Sequence, residues 1–128
     1  MRILVCGGAG YIGGHTCVEL AARGHALVVA DNHANSSPAA VRRLEQVIGA
    51  PLDVRNVDLR DKTALTALFS GQAFDAVVHF AALKAVGESC ERPLDYFDNN
   101  IGGTINLLQA MRSAGVSRLV FSSSATVY

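Results

Sequence analysis

Gly7, Gly10 and Gly13, set directly behind an apolar run and ahead of an amphipathic stretch, have the type and spacing to hold a diphosphate. Side chains at Gly7 and Gly10 would stand between a phosphate and the backbone, while Gly13 lets the next helix lie close on the preceding strand. The helix starting there points N–H groups without helical partners, and the positive end of its dipole, at an anion. A dinucleotide suits such a cradle. Asp31, about twenty residues further on, can accept hydrogen bonds from adenosine ribose hydroxyls, and its charge repels a 2′-phosphate. No Arg or Lys stands among Asn32, His33, Ala34 and Asn35. NAD is therefore expected rather than NADP. A plain turn-forming aspartate in an Asp-Asn pair is the competing reading of Asp31, and its coincidence with the glycines favours the ligand.

Other candidates are less specific. Asp58 can reach an adenine, or it can cap the next helix. His79 falls inside a strand buried on both faces, which suits a satisfied core histidine better than a proton shuttle. Lys84, between Leu83 and Ala85 in an apolar loop, can reach a cofactor or a substrate phosphate, or simply face solvent. Ser122, Ser123 and Ser124 offer a hydroxyl to a substrate oxygen during proton transfer, or form a polar strand terminus.

Positioning these residues requires strands that end together. Apolar runs followed by capped helical segments recur along the chain, a rhythm that predicts an α/β fold with a doubly wound parallel sheet, Rossmann-like, in the order 3-2-1-4-5. Strands are expected over 2–6, 26–30, 52–57, 76–80 and 118–122. The first helix covers 11–22 and stops at Arg23-Gly24. The second follows a Ser37 cap and Pro38 and runs to about residue 48. The third opens near Asp61, carries Leu65, Leu68 and Phe69 on one face, and ends at Gly71. Leu94, Phe97, Ile101, Ile105, Leu108 and Met111 recur at helical spacing, predicting one long amphipathic helix stopped by Gly115. In that topology ligands lie over the carboxyl ends of the strands, where every candidate above falls.

The 128 residues suit one domain, 1–128, with no internal boundary. Half of them are hydrophobic and 17% charged, with 11 basic and 11 acidic side chains that form no run, so nothing points to nucleic acid or an anionic membrane surface. Cys6, Cys17 and Cys90 are widely spaced free thiols with no metal-ligand or disulfide pattern. No apolar run approaches a membrane span and no signal peptide is evident. A reducing cytoplasm is expected.

Several segments together resemble the extended short-chain dehydrogenase/reductase superfamily, and within it the UDP-glucose 4-epimerase family. They are Gly7-Gly8-Ala9-Gly10-Tyr11-Ile12-Gly13, Asp31-Asn32 leading to Asn35-Ser36, and His79-Phe80-Ala81-Ala82-Leu83-Lys84-Ala85-Val86-Gly87-Glu88-Ser89. Pro93-Leu94 through Asp98-Asn99-Asn100, and Phe121-Ser122-Ser123-Ser124-Ala125-Thr126-Val127-Tyr128, complete them. The resemblance covers the whole chain, and the segment from Lys84 to Ser89 is its most particular part. It implies a tightly held NAD that takes a hydride from the sugar C4 while a tyrosine takes the proton, after which the keto sugar turns and is reduced on its other face. It further implies that Tyr11, Ile12, Asp31, Asn32, His33, Ala34, Asn35, Ser36, Asp58, Leu59, Phe80, Ala81, Ala82, Leu83, Lys84 and Asn99 line the cofactor. Lys84, Ala85 and Val86 would approach a UDP-sugar, and Ser124 would assist at the C4 oxygen. Subunits would pair as a homodimer through the 94–114 helix.

Ala82 stands where many bacterial members have glycine. The family's catalytic tyrosine is followed four residues later by lysine, and no tyrosine of this chain is so followed. The expectation is a cofactor-binding part, with the substrate domain absent, that cannot epimerise alone. Sugar-nucleotide dehydratases place Asp-Glu where this chain has Ala125-Thr126, so that alternative lacks its carboxyl acid. A non-catalytic NAD-binding domain is the alternative from another class.

Overall fold

The computed structural model describes residues 1–32, 37–80 and 91–122. Elements run in the order β1 (Arg2–Cys6), α1 (Tyr11–Ala22), β2 (Ala26–Ala30), α2 (Pro38–Ile48), β3 (Asp53–Arg55), α3 (Lys62–Gly71), β4 (Ala76–His79), α4 (Pro93–Tyr96), a π-helical turn (Phe97–Gly102), α5 (Gly103–Ala114) and β5 (Leu119–Phe121). The five strands pair in parallel in the order β3-β2-β1-β4-β5, as the alternating pattern predicts.

Successive side chains of a strand face opposite ways, and this sheet is apolar on both faces. Ile3 and Val5 join Val29, Val78 and Cys17 of α1 in one core layer. Leu4 and Cys6 join Val28, Val77 and, from the helices behind, Leu65, Leu68, Phe69, Leu107 and Met111 in the other. The helices pack in pairs, α1 on α2 and α3 on α5. Burial on both faces accounts for unbroken runs such as Ile3-Leu4-Val5.

Local signals set the helix ends. The Ser37 hydroxyl accepts the Ala40 amide ahead of Pro38, the Asp61 carboxylate accepts the Ala64 amide, and Gly24, Gly49 and Gly115 supply left-handed stops. Asp61, not Asp58, is thus the cap of α3.

Four expectations are corrected. Strand three is confined to Asp53–Arg55 and strand five to Leu119–Phe121, because an edge strand pairs only where a neighbour reaches it. Strand four closes at His79, although the Phe80 amide still donates to the Cys6 carbonyl at 2.8 Å. The single long helix is in fact α4, a π-helical turn and α5. The extra residue per turn rotates the helix behind it, so the buried face is Gly103, Leu107 and Met111, while Leu94, Ile101, Ile105 and Leu108 of the expected stripe are exposed.

Candidate nucleotide site

The strands end level, and the ladder continues one residue past them. The Gly7 amide donates to the Ala30 carbonyl at 2.8 Å and the Asp31 amide to the Arg55 carbonyl at 3.1 Å. On the other side of β1, Phe80 bonds Cys6, and the Ser122 amide donates to the His79 carbonyl at 3.1 Å. Gly7, Asp31, Phe80 and Ser122 are therefore carried to one edge of the sheet, the edge where a doubly wound fold binds its ligand.

At its centre is the glycine turn. Gly7 has φ +79°, a conformation natural to glycine. A Cβ on Gly13 would lie 2.2 Å from the Gly7 carbonyl oxygen and 2.8 Å from Gly8 Cα, so the expected tight seat of helix on strand is real. Gly8, which sequence reasoning passed over, is also constrained, though by a side chain rather than backbone, since a Cβ there would meet Val29 Cγ1 at 2.8 Å. Gly10 differs. The nearest atom to its added Cβ is the Gly7 oxygen at 3.4 Å, ordinary contact, so nothing within the chain demands glycine there.

Two amides of the turn are used internally, Gly10 N–H by the Gly7 carbonyl at 3.2 Å and Ala9 N–H by the Asp31 carboxylate at 3.1 Å. An anion docking at this turn would therefore meet the amides of the first turn of α1. The Gly14 amide is the one that reaches back to the Gly10 carbonyl, at 2.8 Å, so the amides of Tyr11, Ile12 and Gly13 precede the helical ladder. No side chain caps this helix, in contrast to α2 and α3. Tyr11 and Ile12 stand exposed beside it, the Tyr11 ring edge-on to His15 at 4.7 Å.

Asp31 is buried at the end of β2. Behind it, beyond β3, Asp58 takes the Arg60 backbone amide at 2.9 Å and pairs with the Arg60 guanidinium at 2.6 Å. That pairing brings its carboxyl down to about 2. Asn32 Nδ2 donates to Asp58 at 3.3 Å and links the ends of β2 and β3. Leu59 has its side chain in the core, and its carbonyl accepts Asn106 Nδ2 at 2.8 Å. Arg60 was missed from sequence, although an acid followed two residues later by a base in a loop was the available signal.

His79 is the core residue expected. Its Nε2 lies 2.8 Å from Thr104 Oγ1, whose own proton goes to the Asn100 carbonyl at 2.7 Å, so the ring nitrogen is the donor. This fixes β4 to the π-helical turn, on which Asn99 lies. Cys6 and Cys17 are buried free thiols; burial, and for Cys6 the nearby Asp31 charge, push them up to about 12 and about 11.

His33, Ala34, Asn35, Ser36, Ala81, Ala82, Leu83, Lys84, Ala85, Val86, Cys90, Ser123 and Ser124 lie outside the described residues, as does the side chain of Asn99. A groove of about 670 Å³ flanks the glycine turn between α1 and α2, lined in part by Gly10, Tyr11, His15, Ser37, Arg43 and Leu44. Its lining includes none of Asp31, Asp58 or Phe80 and does not replace the strand-end site.

The NAD dependent epimerase/dehydratase family matches residues 3–128. The chain is 57% identical over 129 residues to UDP-glucose 4-epimerase 1 of Oryza sativa, covering 98% of this chain and 36% of that one. It is 49% identical to UDP-glucose 4-epimerase of Klebsiella pneumoniae, covering 100% and 92%. The crystal structure of UDP-glucose-4-epimerase from Stenotrophomonas maltophila, with bound NAD and formylated UDP-arabinopyranose, superposes with a TM-score of 0.95 at 54% identity, covering 100% of this chain and 38% of that one. The chain thus spans little over a third of the rice relative's length.

Proposed function

Because this chain belongs to the NAD dependent epimerase/dehydratase family, we propose that its residues 1–128 form the NAD-holding domain of a UDP-glucose 4-epimerase, interconverting UDP-galactose and UDP-glucose in galactose metabolism. The observation that carries this reading is the uncapped start of α1 at Gly10, a position where no internal contact demands glycine, beside the buried Asp31. These residues fit NAD. The amides opening α1 take the pyrophosphate, Asp31 takes the ribose hydroxyls, and Asp58 with the Leu59 backbone takes the adenine. Tyr11, Ile12, Asn32, Phe80 and Asn99 line the remainder, with His33, Ala34, Asn35, Ser36, Ala81, Ala82, Leu83 and Lys84 on the strength of the resemblance. Bound there, NAD supplies a reversible hydride acceptor for the sugar C4. Ser124 steadies the C4 oxygen, and Lys84, Ala85 and Val86 approach the UDP-sugar.

The exposed Ile101, Ile105 and Leu108 support pairing as a homodimer through α5 and the turn before it. Buried free thiols at Cys6 and Cys17 support a reducing cytoplasmic setting. Among the described residues no helix is long and apolar enough to cross a membrane.

The experiment is to fuse the chain to the remaining residues of the Stenotrophomonas relative and follow UDP-galactose. Interconversion with UDP-glucose supports the proposal. A fusion that holds NAD and leaves both sugars untouched favours the non-catalytic alternative.

A further inference from the structure

Asp58 is held by more than a single ion pair. Its Oδ1 accepts the Arg60 backbone amide at 2.9 Å, Arg60 Nη2 donates to Oδ2 at 2.6 Å, and Nε is shared between the two oxygens at 3.0 and 3.2 Å. A carboxylate has about four acceptor positions. Arg60 thus supplies three donors, and the Asn32 amide, the most distant partner at 3.3 Å, occupies the fourth. The guanidinium is held on its far side as well, with Nη1 3.5 Å from Asp98 of the π-helical turn. Arg60 therefore fixes the rotation of the Asp58 carboxylate and cancels its charge near a site meant for an anion. The acceptor position it leaves is the one facing Asn32, beside Asp31 at the end of β2.

We propose that Arg60 is a positioning residue that makes the base pocket selective for a 6-aminopurine, by turning Asp58 so that its one yielding acceptor position faces the ligand. This rests on the reading of the strand-end site as a NAD cradle. A ligand N–H donor can replace Asn32 at that position. A 6-oxo purine presents a carbonyl oxygen there, which meets the carboxylate as acceptor against acceptor. Without the Arg60 guanidinium the carboxylate keeps only the backbone amide of residue 60 and the Asn32 amide, its rotation is less restricted, and the distinction fades.

The test is calorimetric titration of the 128-residue chain with NAD and with its 6-oxo analogue, nicotinamide hypoxanthine dinucleotide. Wild type is expected to prefer NAD by roughly tenfold, the order of one charge-assisted hydrogen bond at a half-exposed site. Arg60→Gln, with its fold checked by circular dichroism, is expected to weaken both dinucleotides through the uncovered Asp58 charge and to weaken NAD further, bringing the ratio toward one. Arg60→Lys, which keeps the charge without the fork, is expected to recover only part of the ratio. Asp58→Asn, whose amide can donate to a 6-oxo group, is expected to abolish the preference with Arg60 in place. Equal loss of both ligands in Arg60→Gln, or an unchanged ratio, overturns the proposal. Wild type binding both dinucleotides equally overturns it too, leaving the cradle reading intact. Wild type binding neither overturns the cradle reading and this proposal together.

Discussion

The Asp31 carboxylate accepts the Ala9 amide at 3.1 Å, a buried bond that ties the end of β2 to the glycine turn 22 residues earlier. One side chain therefore shapes the turn from the neighbouring strand, and under the proposed function it would also face the ribose. Asp31→Ala is expected to cost about 1 to 3 kcal/mol, since it leaves a buried amide without its acceptor. Asp31→Asn can keep an oxygen on that amide and is expected to cost less. Urea unfolding of the two variants measures the difference.

Gly10 and Gly13 separate ligand from fold. Gly13→Ala drives a Cβ into the Gly7 carbonyl at 2.2 Å and is expected to destabilise the chain by about 2 kcal/mol or more. Gly10→Ala meets only ordinary contact at 3.4 Å and is expected to unfold near wild type while losing NAD affinity. Thermal unfolding paired with NAD titration reads both. Comparable stability loss in the two variants would contradict the distinction.

Adjacent leucines of α5 report its register. Leu107 is fully buried against the core, and Leu107→Ala is expected to cost about 2 to 5 kcal/mol. Leu108, 44% exposed, is expected to cost less than about 1 kcal/mol on the same change. The sequence pattern alone would have assigned these the other way round, and denaturant titration of the pair decides it.

That reversal shows where sequence reasoning reached and where it stopped. Strand order, the tight Gly13 seat, the Ser37 cap and the buried His79 were legible because each depends on short-range chemistry or on the alternation of apolar runs with capped helical segments. The π-helical turn was not, because one extra residue in a turn leaves no mark on apolar spacing yet rotates everything behind it. Arg60 was hidden for a related reason. Its importance comes from Asp98, 38 residues away, and from Asn32 across the strand ends, and only the fold brings those together. Gly8 was overshadowed by the triplet around it, its constraint coming from Val29 on the neighbouring strand.

Arg60 also sets a pH dependence. It lowers the Asp58 carboxyl from 3.8 to about 2, so the ionised form is favoured in the fold. The resulting stability is complete above pH 4 and is lost as the pH falls through about 2. Solvent screening of a half-exposed pair keeps it below about 1 kcal/mol. The stability gap between wild type and Arg60→Gln is expected to narrow across that window in acid titrations of unfolding. A gap that widens toward acid would contradict the pairing.

Cys6 and Cys17 are expected to resist thiol reagents at neutral pH until the chain unfolds, since burial raises both and closes access. Labelling with subsequent peptide mass mapping distinguishes them from Cys90. Rapid modification of Cys6 in the native chain would mean that the strand beneath the glycine turn opens readily.

The most direct measurement is a calorimetric comparison of NAD and NADP on this chain and on Asp31→Asn. If Asp31 faces the 2′ position as proposed, NAD is expected to bind wild type at least roughly tenfold tighter than NADP, with a much smaller gap in the variant. Equal affinity for the two dinucleotides in wild type, or a preference that survives the loss of the Asp31 charge, would contradict that placement.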